Sequence, residues 1–163
     1  MLRFIHDIKE DQKLHRVILI AAVTVDGFVA RHSLERTKWS KDLRLFKEQT
    51  VGWPIIMGSN THKTISGELG GREVIVVHRN DDPKIIIEGV SGDQCFVIGG
   101  GKTYHRFRKQ LTHIYVTPHP LIFGHGIPLF DGKEKEPISL KFNKLVEVDR
   151  ASGIFQYQYK IKR

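Results

Sequence analysis

The chain has 163 residues, 40% of them hydrophobic and 27% charged, with a formal net charge of +8. This is the composition of a soluble globular protein, long enough for one domain with a sizeable core. No apolar run approaches the ~18–20 residues of a membrane-crossing helix, and a single cysteine, Cys95, excludes an intrachain disulfide and points to a reducing cytoplasm. The basic residues are spread along the chain, with local groups at 106–109 and 160–163. That field would attract polyanionic small molecules. No recognition motif accompanies the charge, so nucleic acid is not the expected partner.

Residues 1–15 alternate charged and apolar side chains without a signal-peptide core, and read as an extension before a single domain of residues 16–163. Phe4, Ile5 and Ile8 fit one stripe of a short helix, a dimer contact or a frayed tail, so monomer and homodimer both stay open.

From residue 17 the run Val-Ile-Leu-Ile-Ala-Ala-Val-Thr-Val is continuous, β-branched and short, the pattern of a central strand covered on both faces. Asp26-Gly27 ends it as a turn, and 31–38 is polar and aperiodic, hence a loop. Residues 39–50 read as a helix ending near Gly52 and Pro54. Residues 54–58 form a second strand, and Ser59 or Asn60 can cap a short helix through Ile65. Strands are predicted at 74–77, at Ile85-Ile86-Ile87, at 93–98 and at 114–117, with a helix over 102–111. Residues 142–150 and 154–161 read as a closing antiparallel hairpin. Strands alternating with helices imply an α/β fold: three layers, a mostly parallel central sheet with helices on both faces, and an antiparallel edge from the final hairpin.

Asp42 stands out in this pattern. On a helix from Trp39, the residues Trp39, Leu43, Phe46 and Thr50 share one face, and Asp42 lies three residues from Trp39 and four from Phe46. A carboxylate among apolar groups must find a partner or take up a proton. Capping of a helix N-terminus is the plain alternative.

Gly99-Gly100-Gly101 falls between a predicted strand and helix, and Gly58-Ser59-Asn60-Thr61 repeats the arrangement. Glycines there let a ligand approach the backbone, and two such turns at one sheet edge make a cradle for a dinucleotide. The order is not the G-x-G-x-x-G fingerprint. The nine histidines lack metal-site spacing, and His105, His113, His119 and His125 read as surface or loop residues. Cys95 sits in an apolar strand and reads as core.

Several segments then fall together: Ile20-Ala21-Ala22-Val23; Asp42-Leu43 with Phe46-Lys47 and Thr50; Pro54-Ile55-Ile56-Met57-Gly58; Gly71-Arg72; and Val97-Ile98-Gly99-Gly100-Gly101 with Tyr104. In order and near spacing they resemble dihydrofolate reductase, over roughly residues 16–131. The stretch 117–130, with Phe123-Gly124 and Gly126-Ile127-Pro128-Leu129-Phe130, looks more like the reductase domain of riboflavin biosynthesis. Both groups share one fold and use a reduced nicotinamide.

The resemblance implies that Asp42 is the catalytic acid facing the pterin amino group and ring nitrogen. It implies substrate contacts for Ala22, Trp39, Phe46 and Arg72, the last clamping the α-carboxylate of folate. Thr117 would support the acid. NADPH would lie against Ala21, Val29, Gly58, Ser59, Asn60 and Thr61, and against His78 and Arg79. It would continue along Ile98, Gly99, Gly100, Gly101, Lys102, Thr103 and Tyr104, with a cis peptide between Gly99 and Gly100. Ser59 stands where the family usually has a basic residue for the 2′-phosphate, and Arg79 could supply that charge. Trp39 precedes Asp42 by three residues rather than the usual five, and Gly70-Gly71-Arg72 replaces Pro-Gly-Arg. The expected activity is NADPH-dependent reduction of dihydrofolate. Reduction of a ribosylaminopyrimidine phosphate is the enzymatic alternative, supported by Val25-Asp26-Gly27 and Trp39-Ser40. A non-catalytic basic binding protein on the same fold is the alternative from another class.

Overall fold

A computed structural model describes residues 16–134 and 136–163; the extension expected at 1–15 lies outside them. A seven-stranded sheet has the order β4-β3-β5-β1-β6-β9-β8. The central strand β1 (Arg16–Thr24) pairs in parallel with β5 (Gln94–Gly99) and β6 (His113–His119). β3 (Ile55–Gly58) continues the parallel set between β5 and β4 (Val74–Val77). β9 (Ile154–Ile161) then pairs antiparallel with β6 and with β8 (Leu140–Asp149). The closing hairpin is therefore where its alternation placed it.

Period-two alternation along β1 splits the core. Val17, Leu19, Ala21 and Val23 face one way and pack with Phe107, Leu111, Cys95 and Val97. Ile18 and Ile20 face the other way, with Ile55, Met57, Phe96 and Tyr115, and take Phe46 and Trp53 against them. Both faces are thus covered, as an uninterrupted β-branched run requires. Helices α3 (Pro83–Gly89) and α4 (Gly101–Phe107) lie over the first face, and α1 (Leu43–Thr50) over the second.

Three expectations are corrected. Ile85-Ile86-Ile87 is not a strand but the middle of α3: Pro83 at its first turn and the Asp82 side chain, accepting from Lys84 N at 2.9 Å, start a helix that outweighs β-branched preference. Helix α1 begins at Leu43, so Trp39 is outside it and Asp42 stands at its N-cap, with Leu43 exposed. Helix α4 covers Gly101–Phe107 rather than 102–111. A two-stranded antiparallel ribbon of β2 (Phe28–Ala30) and β7 (Ile127–Pro128) was not anticipated from the sequence. α2 (Ser59–Ile65) follows β3 directly, and a 3-10 turn at Ser66–Glu68 follows α2.

Phe107 is fully buried at the junction of α4 and the sheet. Phe107→Ala is expected to lower stability by about 3–5 kcal/mol in chemical denaturation. Burial pushes the Cys95 thiol up to about 12. The native protein should leave a thiol reagent unreacted until denaturant is added.

Candidate active site

Strand ends create the site. In an open α/β sheet, ligands bind beyond the carboxyl ends of the strands, where strand order reverses. Here the reversal lies at β1, flanked by β5 and β6. A cavity of about 830 Å³ opens there. Ala21 and Ala22 from β1, Gly58 from β3 and Ile98 and Gly99 from β5 contribute to its wall.

One side of the cavity is acidic and apolar. Asp42 lines it while only 6% exposed. The residue occupies the N-cap position of α1, but its carboxylate makes no capping hydrogen bond. Instead the Ser40 hydroxyl donates to Asp42 Oδ1. The capping alternative is thereby set aside by geometry. Phe46, one turn on, shares the wall, and Arg72 crosses over it with its guanidinium 5.7 Å from the ring centroid. Arg72 is held by donation from Nε to Thr50 Oγ1 at 2.9 Å and from Nη1 to the Gly70 carbonyl at 3.1 Å. Its Nη2 makes no hydrogen bond among the described residues, which leaves one edge of the fork open to an anion.

The other side is glycine and hydroxyl. The Gly99–Gly100 peptide is cis, as the resemblance implied. Gly99 has φ +140°, a region disfavoured for residues with a side chain. Gly58, Ser59, Asn60, Thr61, Lys102 and Thr103 line this part, with Arg79 at its rim. Tyr104 sits beneath, 3% exposed, donating its hydroxyl to the Ile20 carbonyl at 2.7 Å. Burial first, and the nearby charge of Asp42 second, push that hydroxyl far above the usual phenol range, so it stays protonated. Backbone amides bare of side chains, several hydroxyls and the cations Arg79, Lys102 and Arg106 form a donor set that fits a polyanionic dinucleotide.

Most of the expected residues therefore meet in one cavity, including Val29 and Gly101. Three do not line it. Trp39 turns away and packs edge-on against His119, at 5.2 Å, and Phe123, at 5.4 Å, with Nε1 donating to Glu35. The substrate contact that the resemblance implied for Trp39 is absent here, and the helix expected to carry it starts four residues later, at Leu43. His78 is exposed in the turn after β4 and outside the cavity wall. Thr117 is wholly buried behind the wall, its hydroxyl without a hydrogen-bond partner among the described residues. His119, read as a surface or loop residue, is instead 1% exposed at the end of β6.

Sequence reasoning noted Ser40 only beside Trp39 and missed its hydrogen bond to Asp42, and it missed Arg106. The Arg106 guanidinium donates to the carbonyls of His78, at 3.0 Å, and Asp81, bracing the turn that carries Arg79. Among the described residues no group of His, Cys, Asp and Glu is placed to hold a metal ion, and no helix is long and apolar enough to cross a membrane.

These features define an α/β enzyme whose cavity spans a buried acid and an anion-binding glycine turn. The chain belongs to the dihydrofolate reductase family: that family's profile matches residues 16–120. It is 30% identical over 115 residues to dihydrofolate reductase type 3 of Salmonella typhimurium, covering 62% of this chain and 70% of that one. It is 33% identical over 104 residues to dihydrofolate reductase of Bacillus subtilis, covering 55% of this chain and 62% of the other. Among solved structures, dihydrofolate reductase from Enterococcus faecalis complexed with NADP(H) and RAB-propyl superposes with a TM-score of 0.68 at 16% identity, over 93% of this chain and 99% of that one. A putative riboflavin biosynthesis protein from Shewanella sp. PV-4 superposes with a TM-score of 0.60 at 19% identity, over 91% and 99%. At these identities the two structures show the shared fold.

Gly101 has no room for a side chain: a Cβ there would stand 2.5 Å from the Pro128 carbonyl oxygen and 2.7 Å from Ile127 Cγ2. Gly101→Ala is expected to lower stability by about 1–3 kcal/mol in thermal unfolding. Gly89→Ala, where nothing lies within 4 Å, should leave it unchanged or slightly higher.

Proposed function

We propose that this protein is an NADPH-dependent dihydrofolate reductase in which Asp42 is the acid that recognises the pterin ring. The observation that carries the reading is the placement of Asp42. A carboxylate 6% exposed, braced by Ser40, lines the same cavity as the cis Gly99–Gly100 turn. An acid kept from bulk water next to a slot is suited to pairing with the amino group and ring nitrogen of a flat heterocycle.

When bound, NADPH supplies the hydride that reduces the C6–N5 imine of the pterin. The chain's own residues orient and polarise. Asp42 fixes the ring and favours its protonation, and it need not touch N5, because a water can deliver that proton. Phe46 packs on the pterin and benzoyl rings. Arg72, with Nη2 uncommitted, pairs with the α-carboxylate of the glutamate tail. Thr117 stands on β6 beside Ala22 in register, and its hydroxyl, without a partner among the described residues, is the group the resemblance assigns to the support of the acid. Ala22 meets the carboxamide of the nicotinamide through its backbone. Gly99, Gly100 and Gly101 admit the pyrophosphate, and Arg79 supplies charge for the 2′-phosphate that Ser59 cannot.

The pairing of Arg72 with Phe46 favours folate over the flavin-pathway pyrimidine. Arg72 and Lys47 are cations on the Asp42 side of the cavity, but Phe46 lies against the Arg72 guanidinium, a pairing that suits an aromatic ring with a carboxylate tail better than the ribose phosphate of the pyrimidine substrate. A spectrophotometric assay separates the two: NADPH oxidation with dihydrofolate, abolished by methotrexate, is the expected result. Oxidation only with the ribosylaminopyrimidine phosphate would reverse the assignment.

Asp42→Asn is expected to reduce turnover by about 100-fold or more while leaving the Kd for NADPH, read by fluorescence titration, near the parent value. Arg72→Lys keeps the charge but loses the fork, and should raise KM for dihydrofolate by about tenfold with kcat little changed.

A further inference from the structure

Residues 39–42 carry the proposed acid, yet they belong to no helix or strand. The Asp42 carbonyl accepts from Phe46 N at 2.8 Å in the first turn of α1, but residues 39–41 have no such hold. Ser40 N bonds locally to the Thr37 carbonyl at 3.1 Å, which fixes the turn but not its position on the body. For residues 39–41 the tie to the body comes from far along the chain. Lys41 N donates to His119 Nε2 at 2.9 Å, across 78 residues.

The imidazole is well placed to be that anchor. His119 is the last residue of β6, 1% exposed, and pairs in register with Thr24 of the central strand. Its Nδ1 lies 2.8 Å from the Thr117 carbonyl oxygen. A carbonyl only accepts, so Nδ1 carries the proton, and Nε2 of the neutral ring is left as the acceptor that Lys41 N requires. One tautomer satisfies both contacts. Trp39 closes on the same ring edge-on, at 88° between planes. Residues 39 and 41 are thereby fastened to one side chain, and the residue that follows is Asp42. Ser40 occupies one oxygen of that carboxylate, so the direction of the other depends on the backbone that His119 holds.

We propose that His119 is the positioning residue for Asp42. It is not among the residues that line the cavity. It sets the backbone at Lys41 so that the carboxylate meets the substrate ring. The proposal rests on the reading of Asp42 as the substrate-facing acid.

Three substitutions separate hydrogen bonding from packing. A glutamine amide reaches the ε position and can still accept from Lys41 N. An asparagine amide reaches only the δ position and keeps the Thr117 contact alone. A phenylalanine keeps the ring against Trp39 and neither hydrogen bond. For dihydrofolate reduction, kcat should fall about tenfold or more in His119→Asn and His119→Phe, and stay within about threefold in His119→Gln. The Kd for NADPH should stay within about twofold in all three, which also reports that the site has folded. In an Asp42→Asn background His119→Phe should add less than about a twofold loss, because the positioned group is already gone. Histidine side-chain nitrogen NMR of the unmodified protein should show His119 as the Nδ1–H tautomer.

Wild-type kcat in folded His119→Asn and His119→Phe would overturn the proposal. So would an equal loss from His119→Phe on both backgrounds. The opposite tautomer would overturn it even if no variant folds, since a protonated Nε2 cannot accept from Lys41. Normal turnover by Asp42→Asn alone would overturn the underlying reading of Asp42 instead, and is distinguished by appearing before any change at His119.

Discussion

The hydrogen bond from the Ser40 hydroxyl to Asp42 is the contact around which the site is organised. A carboxylate 6% exposed loses most of its hydration and needs fixed donors in exchange. One oxygen receives Ser40, and the rest of the group looks into the cavity. The surrounding wall follows from that demand. Phe46 supplies an apolar face one helical turn away, and Tyr104 remains a neutral donor to the Ile20 carbonyl rather than a second charge.

Around this group the sheet acts as a rigid frame. β1 contributes cavity wall at Ala21 and Ala22, and its register places Thr117 beside Ala22 and His119 beside Thr24. The acid-bearing segment is irregular; it is held at one end by α1, whose N-cap is Asp42, and is docked through Lys41 against His119 of β6. Arg72 is treated similarly. Two of its nitrogens are occupied by Thr50 and by carbonyls of the turn before β4, and the guanidinium is held in one pose without substrate. Preorganisation of this kind reduces the ordering cost of binding.

The glycine turn across the cavity answers a different constraint. Gly99 and Gly100 front on Thr61, and Gly101 abuts the Pro128 carbonyl so closely that only a hydrogen fits. The ribbon of β2 and β7 therefore packs directly on the start of α4. Close packing on one side of the turn and open space on the other give the backbone a single exposed face.

Much of this was legible in local pattern. The apolar run of β1, the alternation of β9 and the glycine turn depend on neighbours within a few residues and lie where pattern put them; the acid is buried as its apolar neighbours suggested, but at the N-cap of α1 rather than inside a helix. The errors also have local causes. Ile85-Ile86-Ile87 carries strand preference, but Pro83 and Asp82 nucleate a helix, and Ile86 and Ile87 pack it on the core. Trp39 sits at helical spacing from Asp42, yet the helix starts at Leu43, and the indole goes to His119 and Phe123 instead. No periodicity in the chain announces Ser40, Arg106 or His119. Each acts through a hydrogen bond whose partner is set by the path of the backbone, whether two residues away, as for Ser40, or 78, as for His119. Hydrophobic spacing encodes which face of an element is buried, because that is a property of the element alone. Which polar groups end up within 3 Å of one another depends on how elements pack and loops close, and only the folded chain brings those atoms together.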